Sequence, residues 1–275
     1  MSSPVALGEI DLDALLAIVA AQRGLDFRDY RRAPIARGIA SRLVATRSSD
    51  FHTYCIRAER DPREMDALVR SLVVPVTGFF RDSEVFEGLG SVVLPALARS
   101  NEGPLRVWCV GVATGEEAWS IAALLEGLRR RGTLADYEVL GSDIDEVSLE
   151  VARTARYAVG SVPFGHEGFE EVDGQAQPAG ELRARVRFAR HDLVGRSAAP
   201  REAVVASFHL ILCRNVLLYF EPHLQERACA RLLAALGIGS ALLLGPVEDV
   251  PSVLHDRLAP FIGVHPMFRM WKRIR

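Results

Sequence analysis

The sequence predicts an α/β protein: a doubly wound, mostly parallel sheet flanked by helices, with a small helical domain in front of it. Three observations predict it. Apolar runs at residues 107–110 and 137–140 each pass through a glycine-containing turn into a helical pattern, and a third apolar run, 208–213, stops abruptly at Arg214 and Asn215. Residues 1–72, by contrast, show helical spacing without strand alternation.

In the N-terminal region Ile10, Leu12, Leu15, Leu16, Ile18 and Val19 mark one helix, Ile35, Ile39, Leu43 and Val44 a second, and Met65, Leu68 and Leu72 a third. Pro75 breaks the pattern, so the expected division is a helical domain over 1–72 and a second domain over 73–275, with the boundary in the stretch 71–76. The second helix carries Arg31, Arg32, Arg37, Arg42 and Arg47 with little acidic relief. By default such a run is a solvated face.

The run 107–110 is short, β-branched and bounded by glycine, as suits a strand buried on both faces of a parallel sheet. Gly111 and Gly115 permit backbone conformations that a Cβ resists and let a ligand approach the main chain. Thr114 and Glu117 have the spacing of a capping box, which starts a helix continuing through Ile121, Leu124, Leu125 and Leu128. One βα unit later, Gly141-Ser142-Asp143-Ile144-Asp145 follows the second run and precedes Val147, Leu149, Val151 and Ala152. Asp143 stands at the carboxyl end of the second strand, where doubly wound sheets hold ribose hydroxyls, and Asp145 reads as a helix N-cap.

The first turn holds acids and no lysine or arginine, unlike a loop that cradles pyrophosphate. A nucleoside without phosphates is the expected ligand, and S-adenosylmethionine fits, with a ribose diol at one end and cationic groups at the other. Glu116 or Glu117 would face the cationic end, or simply complement the helix dipole. Pro163, Gly165, Gly168, Gly174, Pro178 and Gly180 punctuate the region 157–188, leaving strand-like character only around 182–188 and marking a small β-rich insertion.

Composition narrows the class. A chain of 275 residues holds one large core, or a main domain plus a small one. A net charge of -2 argues against bulk nucleic-acid binding. The four cysteines make no C-x-x-C pair, and His191, His209 and His223 lack metal-ligand spacing, so neither a disulfide framework nor a metal site is expected. No signal-like start or membrane-length apolar stretch is visible, which gives a cytoplasmic expectation with no direct membrane insertion.

Four segments in register then resemble the chemotaxis receptor protein-glutamate O-methyltransferases, the CheR family. They are Thr77-Gly78-Phe79-Phe80-Arg81-Asp82, Thr114-Gly115-Glu116-Glu117, Ser142-Asp143-Ile144-Asp145, and Cys213-Arg214-Asn215-Val216 with Tyr219-Phe220. The resemblance implies a Rossmann-like S-adenosylmethionine-dependent methyltransferase sheet and methyl transfer to glutamates of chemoreceptors or receptor-like signalling proteins. It places Thr77, Arg81, Glu117, Asp143, Asp192, Leu193, Arg214 and Asn215 around the cofactor. Arg81 would hold the incoming carboxylate, with the Tyr219 hydroxyl in the same pocket. Phe79 and Phe80 would pack a lid over the cofactor, and Arg31, Arg32, Arg37 and Arg42 would dock the acidic cytoplasmic helical region of a receptor.

The chain departs from the family pattern at Pro75, where asparagine is usual, at Val112, Ala113, Ala118 and Trp119 in the first loop, at Asp192, and at Pro246 and Val247 of the 245–248 turn. These departures keep a second expectation open: a weakened or inactive cofactor-binding module that acts as a sensor or scaffold in a signalling complex.

Overall fold

A computed structural model describes residues 9–73, 77–162, 168–197, 199–203, 207–262, 264 and 268–275. They divide into two compact units. One holds the N-terminal helices together with Tyr219–Leu224, and the other holds the remaining described residues.

The first unit contains α1 (Glu9–Arg23), α2 (Arg32–Thr46), α3 (Phe51–Arg60) and α4 (Pro62–Leu72). Sequence periodicity did not reveal α3. It is a ten-residue helix whose start is fixed by Asp50, which accepts the Thr53 N–H at 2.8 Å, and Asp61 then caps α4 with Pro62 at its first position. Leu15, Leu16, Phe27, Ile35, Tyr54 and Met65 form the core of the unit. Gly38 lets α2 approach α4 so closely that a Cβ there would collide with the Ser71 carbonyl. Buried Glu64 accepts both Nε and Nη2 of Arg42, at 2.9 and 2.7 Å, and the Tyr54 hydroxyl at 3.0 Å. Arg42 thus joins the packing of its own unit instead of the free docking face expected of it. Arg31 donates its N–H to the Tyr219 carbonyl, and the Tyr30 ring meets Phe220 edge-on, which ties Tyr219–Leu224 to these helices.

In the second unit α5 (Ser83–Gly88), a single π-turn (Leu89–Val93) and α6 (Leu94–Arg99) form one continuous helical stretch before the sheet. Then come β1 (Leu105–Val110), α7 (Glu116–Arg130), β2 (Tyr137–Asp143), α8 (Glu146–Thr154), β3 (Tyr157–Ala158), β4 (Phe169–Val172), β5 (Gln175–Pro178) and α9 (Gly180–Arg183). The chain closes with β6 (Val186–Arg190), β7 (Phe208–Cys213), α10 (Pro222–Ala235), β8 (Leu236–Leu244), β9 (Leu258–Pro260) and β10 (Met270–Arg273).

The main sheet has the order β6-β2-β1-β7-β8-β10-β9, parallel from β6 to β8, with β10 antiparallel to both neighbours. The chain builds outward from β1 through β2 to β6 and then returns to β7 on the other side of β1, so the strand order reverses between β1 and β7. Ligands of open α/β sheets sit outside the carboxyl ends of the strands at such a reversal. Val110 aligns with Ser142 on one side and Cys213 on the other, which brings the turns after β1, β2 and β7 to one level.

Two strand limits differ from the sequence expectation. β2 runs on through Gly141 and Ser142 to Asp143, because Gly141 leaves room for the Phe188 ring, whose Cδ1 would lie 2.6 Å from a Cβ there. β6 belongs to the main sheet, while β3, β5 and β4 make a separate three-stranded antiparallel sheet. Pro75 and the end of the expected boundary stretch lie outside the described residues, as do Pro163 and Gly165. Among the described residues no helix is long and apolar enough to cross a membrane.

The α7 side of the core carries one buried acid. Glu126 has no exposed side-chain surface and pairs with Arg129 at 2.8 Å and Arg130 at 3.0 Å, while the Tyr137 hydroxyl donates to it at 3.2 Å. The Arg129 hydrogen bond leads in pulling its carboxyl from 4.5 to about 2, against burial. A carboxyl lowered on folding adds stability above its unfolded value, and that contribution fades as the pH falls toward the folded one. Glu126→Gln is therefore expected to cost about 2 kcal/mol near neutral pH, discounted for the partly exposed arginines. Urea unfolding from pH 7 downward checks this: the gap to the unaltered protein should narrow between pH 4.5 and about 2.

Candidate functional site

The turn after β1 is made from main chain. Gly111 has φ +71°, and both its N–H and that of Val112 donate to the Ser142 carbonyl, at 2.7 and 3.1 Å. Gly115 has φ +96°, and a Cβ there would fall 2.7 Å from that of Ala152. Between them Ala113, with φ +47°, donates its N–H to Asp143 Oδ2 at 2.8 Å, and Asp145 N–H donates to Oδ1 at 2.9 Å. Burial raises the Asp143 carboxyl above its ordinary value despite these two donors. Asp145 caps α8 by accepting the Val147 and Ser148 amides.

The expected capping box does not form. Gly115 is the N-cap of α7 and makes no side-chain cap, while Thr114 donates its hydroxyl to Glu116 at 2.7 Å. Glu117 turns instead to Arg214, 97 residues away, at 3.0 Å. An ion pair with a buried guanidinium outweighs a local hydrogen bond to one amide. Thr114 is held from behind by the Tyr157 hydroxyl, which donates to its carbonyl at 2.7 Å.

Arg214 has a side chain only 2% exposed. Its Nη2 pairs with Asp82 and donates to the Arg81 carbonyl at 3.2 Å, Nη1 reaches Glu117, and the guanidinium lies 5.7 Å from the centre of the Phe86 ring. Burial raises the Glu117 carboxyl, with Arg214 the strongest opposing influence and Arg81 a further one. Arg81 itself sits between two residues in the left-handed region, Phe80 at φ +50° and Asp82 at φ +61°. Ser120 holds the near side of this loop: its hydroxyl donates to the Glu116 carbonyl at 2.7 Å and accepts the Phe80 N–H at 3.0 Å. Phe80 enters the core against Phe86, and Phe79 packs edge-on against Tyr157 and Phe169, so both rings have protein partners in place of the expected lid.

Asn215 follows at φ +59°, and its N–H donates to buried Glu248 at 2.9 Å. Its carboxamide makes no hydrogen bond among the described residues. The half-buried Thr77 likewise has no hydrogen bond there. Beyond β6, Asp192 closes a turn through Oδ1 to the Val194 N–H at 3.0 Å. Arg231 donates to the Leu193 carbonyl at 2.6 Å and to that of Gly195, while Arg227 reaches Gly195 at 3.1 Å, so α10 anchors this turn. A cavity of about 320 Å³ opens beside Arg214, lined among others by Asp82, Ser83, Leu244, Pro246 and Arg269.

Six of the expected cofactor positions, Arg81, Glu117, Asp143, Asp192, Arg214 and Asn215, thus lie on or beside turns at the carboxyl ends of the parallel strands. Tyr219 falls in the other unit, where its carbonyl accepts the Arg31 N–H. Of the arginines on the first unit, Arg32 pairs with Asp13 at 2.7 Å, while Arg37 is exposed and makes no ion pair among the described residues. Sequence reasoning passed over Ser120, Tyr157 and Arg231, whose roles depend on partners 36 to 43 residues away. No group of His, Cys, Asp and Glu among the described residues could hold a metal ion. His209 Nδ1 accepts the Arg106 N–H, His191 is buried beside Trp108, and His223 is exposed.

Comparison with known proteins agrees with this geometry. The family model described as CheR methyltransferase, SAM binding domain, matches residues 75–261. The chain belongs to the CheR methyltransferase family. Residues 10–73 match the CheR methyltransferase all-alpha domain. A chemotaxis protein methyltransferase of Listeria monocytogenes is 29% identical over 85% of this chain and 87% of its own length. One from Klebsiella aerogenes is 28% identical over 93% and 89%. An uncharacterized 104.1 kDa protein of Rhodobacter capsulatus is 31% identical over 98% of this chain, which spans only 29% of that longer protein.

The cofactor of this CheR methyltransferase is S-adenosylmethionine, and the residues present fit it. Asp143 has each carboxylate oxygen engaged by one amide, leaving acceptor capacity for hydroxyls. The turn that would meet the cationic end carries two carboxylates and no lysine or arginine.

Proposed function

We propose that the protein transfers a methyl group from S-adenosylmethionine to glutamate carboxylates of a chemoreceptor or receptor-like signalling protein. The observation that carries this reading is the setting of Arg81, whose backbone is fixed from both sides by Ser120 and Arg214 at the strand-order reversal. The similarity to the Listeria and Klebsiella chemotaxis protein methyltransferases supports the chemotaxis setting.

Bound, the cofactor supplies an electrophilic methyl on a sulfonium. Asp143 would accept the ribose hydroxyls, the Asp192 oxygen not used in its turn would accept the adenine amine beside Leu193, and Thr77 and Asn215 would offer their unbonded polar groups. Glu117 would act through its pairing with Arg214, which opposes the upward push of burial on its carboxyl at the start of α7. A glutamate with an ordinary value of about 4.3 is already ionised near neutrality, so no general base is required. The cofactor would supply the methyl group and retain the carbon–sulfur electron pair on sulfur, so the chain's own residues would have no proton to move and only the acceptor oxygen to hold in line. Arg81 would orient both carboxylate oxygens through its planar guanidinium, and positioning would supply most of the rate.

On the helical unit, Arg37 and the exposed Arg31 and Arg32 give α2 a cationic outer side, and Val44 on the same helix is 80% exposed. An acidic receptor helix fits that surface, with charge setting encounter rate and orientation more than affinity.

Two measurements test this reading. Calorimetric titration of S-adenosylhomocysteine should show Asp143→Ala binding about tenfold to a hundredfold more weakly, while Arg81→Ala should lower base-labile methyl transfer to a receptor fragment about a hundredfold. Unchanged transfer in the Arg81 variant removes its role. For docking, Arg37→Glu should raise KM for the receptor fragment without changing kcat, an effect that shrinks with added salt. Arg42→Ala should instead cost about 3 kcal/mol of stability by leaving Glu64 buried and unpaired.

A further inference from the structure

We propose that Glu248 is a positioning residue for methyl transfer, acting by fixing the turn that presents Arg214 and Asn215. The inference rests on the cofactor site described above and extends it to a side chain outside that site's expected members.

Glu248 lies beyond β8, is 4% exposed, and forms no ion pair among the described residues. Its charge is met by main chain alone. Oε2 accepts the Gly245 N–H at 2.7 Å and the Asn215 N–H at 2.9 Å, and Oε1 accepts the Leu218 N–H at 3.1 Å. One carboxylate therefore joins the end of β8 to both ends of the turn after β7. Asn215 is in the left-handed region, which asparagine enters more readily than other residues with a Cβ but which is still held here by the bond from its N–H to Glu248. Gly245 completes the junction: a Cβ there would lie 2.6 Å from Glu248 Oε2 and 2.9 Å from the Asn215 nitrogen.

A buried carboxylate without a cation is a costly way to fill space, since an apolar side chain of similar volume packs without that cost. What the carboxylate supplies, and an apolar group does not, is three directed acceptor bonds to amides on two segments. Those segments bracket the strand end at the order reversal. Released from Glu248, Asn215 is free to leave its left-handed conformation, and the carboxamide and the Arg214 guanidinium lose the backbone that aims them.

Glu248→Ala removes all three acceptor bonds. Glu248→Gln keeps the volume, and its single carbonyl can serve Gly245 and Asn215 while its amide group faces the Leu218 N–H. S-adenosylhomocysteine binding by calorimetry, with folding monitored by circular dichroism, separates them. Glu248→Ala is expected to bind about tenfold more weakly, and Glu248→Gln to restore affinity to within about threefold of the unaltered protein. In amide exchange by mass spectrometry, S-adenosylhomocysteine should slow exchange at 214–218 and 245–248 of the unaltered protein together, a readout that needs no variant. A folded Glu248→Ala that binds as tightly as the unaltered protein overturns the proposal. So does ligand protection that reaches 112–117 but neither segment joined by Glu248. Failure of the unaltered protein to bind at all overturns the cofactor site and this inference together, whereas the first two outcomes leave that site standing.

Discussion

The second unit depends on one buried guanidinium. Arg214 directly follows β7, yet its side chain is taken up by Asp82 ahead of α5 and Glu117 at the start of α7, so three segments far apart in sequence meet on one cation. Desolvating Arg214 and Glu117 is expensive, and the arrangement holds because the planar guanidinium distributes its donors among Glu117, the more exposed Asp82 and the Arg81 carbonyl. The effect on Glu117 shows the balance: burial raises its carboxyl and Arg214 pulls it back. Without Arg214, Glu117 would lose the cation it pairs with, whereas Arg214 without Glu117 would keep Asp82 alone.

The same economy governs the backbone around that cation. Seven described residues other than glycine have positive φ, and four of them, Phe80, Asp82, Ala113 and Asn215, lie in the turns at the candidate site. Each is secured by a distant side chain. Ser120 accepts the Phe80 amide, Asp143 that of Ala113 and Glu248 that of Asn215, while Arg214 takes the Asp82 carboxylate. Left-handed backbone costs energy that only its surroundings can offset, and here the offset comes from polar side chains on neighbouring elements. The π-turn at Leu89–Val93, which sits in the helical stretch directly after the Arg81 loop, is a further local irregularity on the same side of the sequence motif.

Local patterns in the sequence were legible where local physics decides. The apolar runs at 107–110, 137–140 and 208–213 are strands, Asp145 caps α8, and Gly111 and Gly115 both have positive φ. The spacing failed where a long-range partner overrides it. Thr114 and Glu117 have the separation of a capping box, but Arg214 claims Glu117 and Glu116 claims Thr114. Helix α3 escaped notice because its buried residues, Phe51, Tyr54 and Ala58, are spread among polar neighbours, and its identity rests on the Asp50 cap. Glu248 was visible only as the last letter of an altered turn; nothing local marks it as the acceptor of an amide 33 residues earlier.

That distinction also explains why the departures from the family pattern leave the turns intact. Val112 and Ala113 contribute amides to the loop and bury their small side chains, so the loop's hydrogen bonds to Ser142 and Asp143 do not require a polar side chain at either position. Ala118 and Trp119 face the core, and the Trp119 indole donates to the Ala152 carbonyl at 3.1 Å, joining α7 to α8 beneath the turn. In the 245–248 turn, Val247 is 79% exposed and the bonding is done by Gly245 and Glu248, the two positions that keep the family pattern. A turn whose shape is specified by main-chain donors and two fixed ends tolerates change between them. The same changes at Asp143, Ser120 or Glu248 would remove the acceptor for an amide held in a strained conformation, so tolerance at this site follows which atoms do the bonding more closely than distance from the motif.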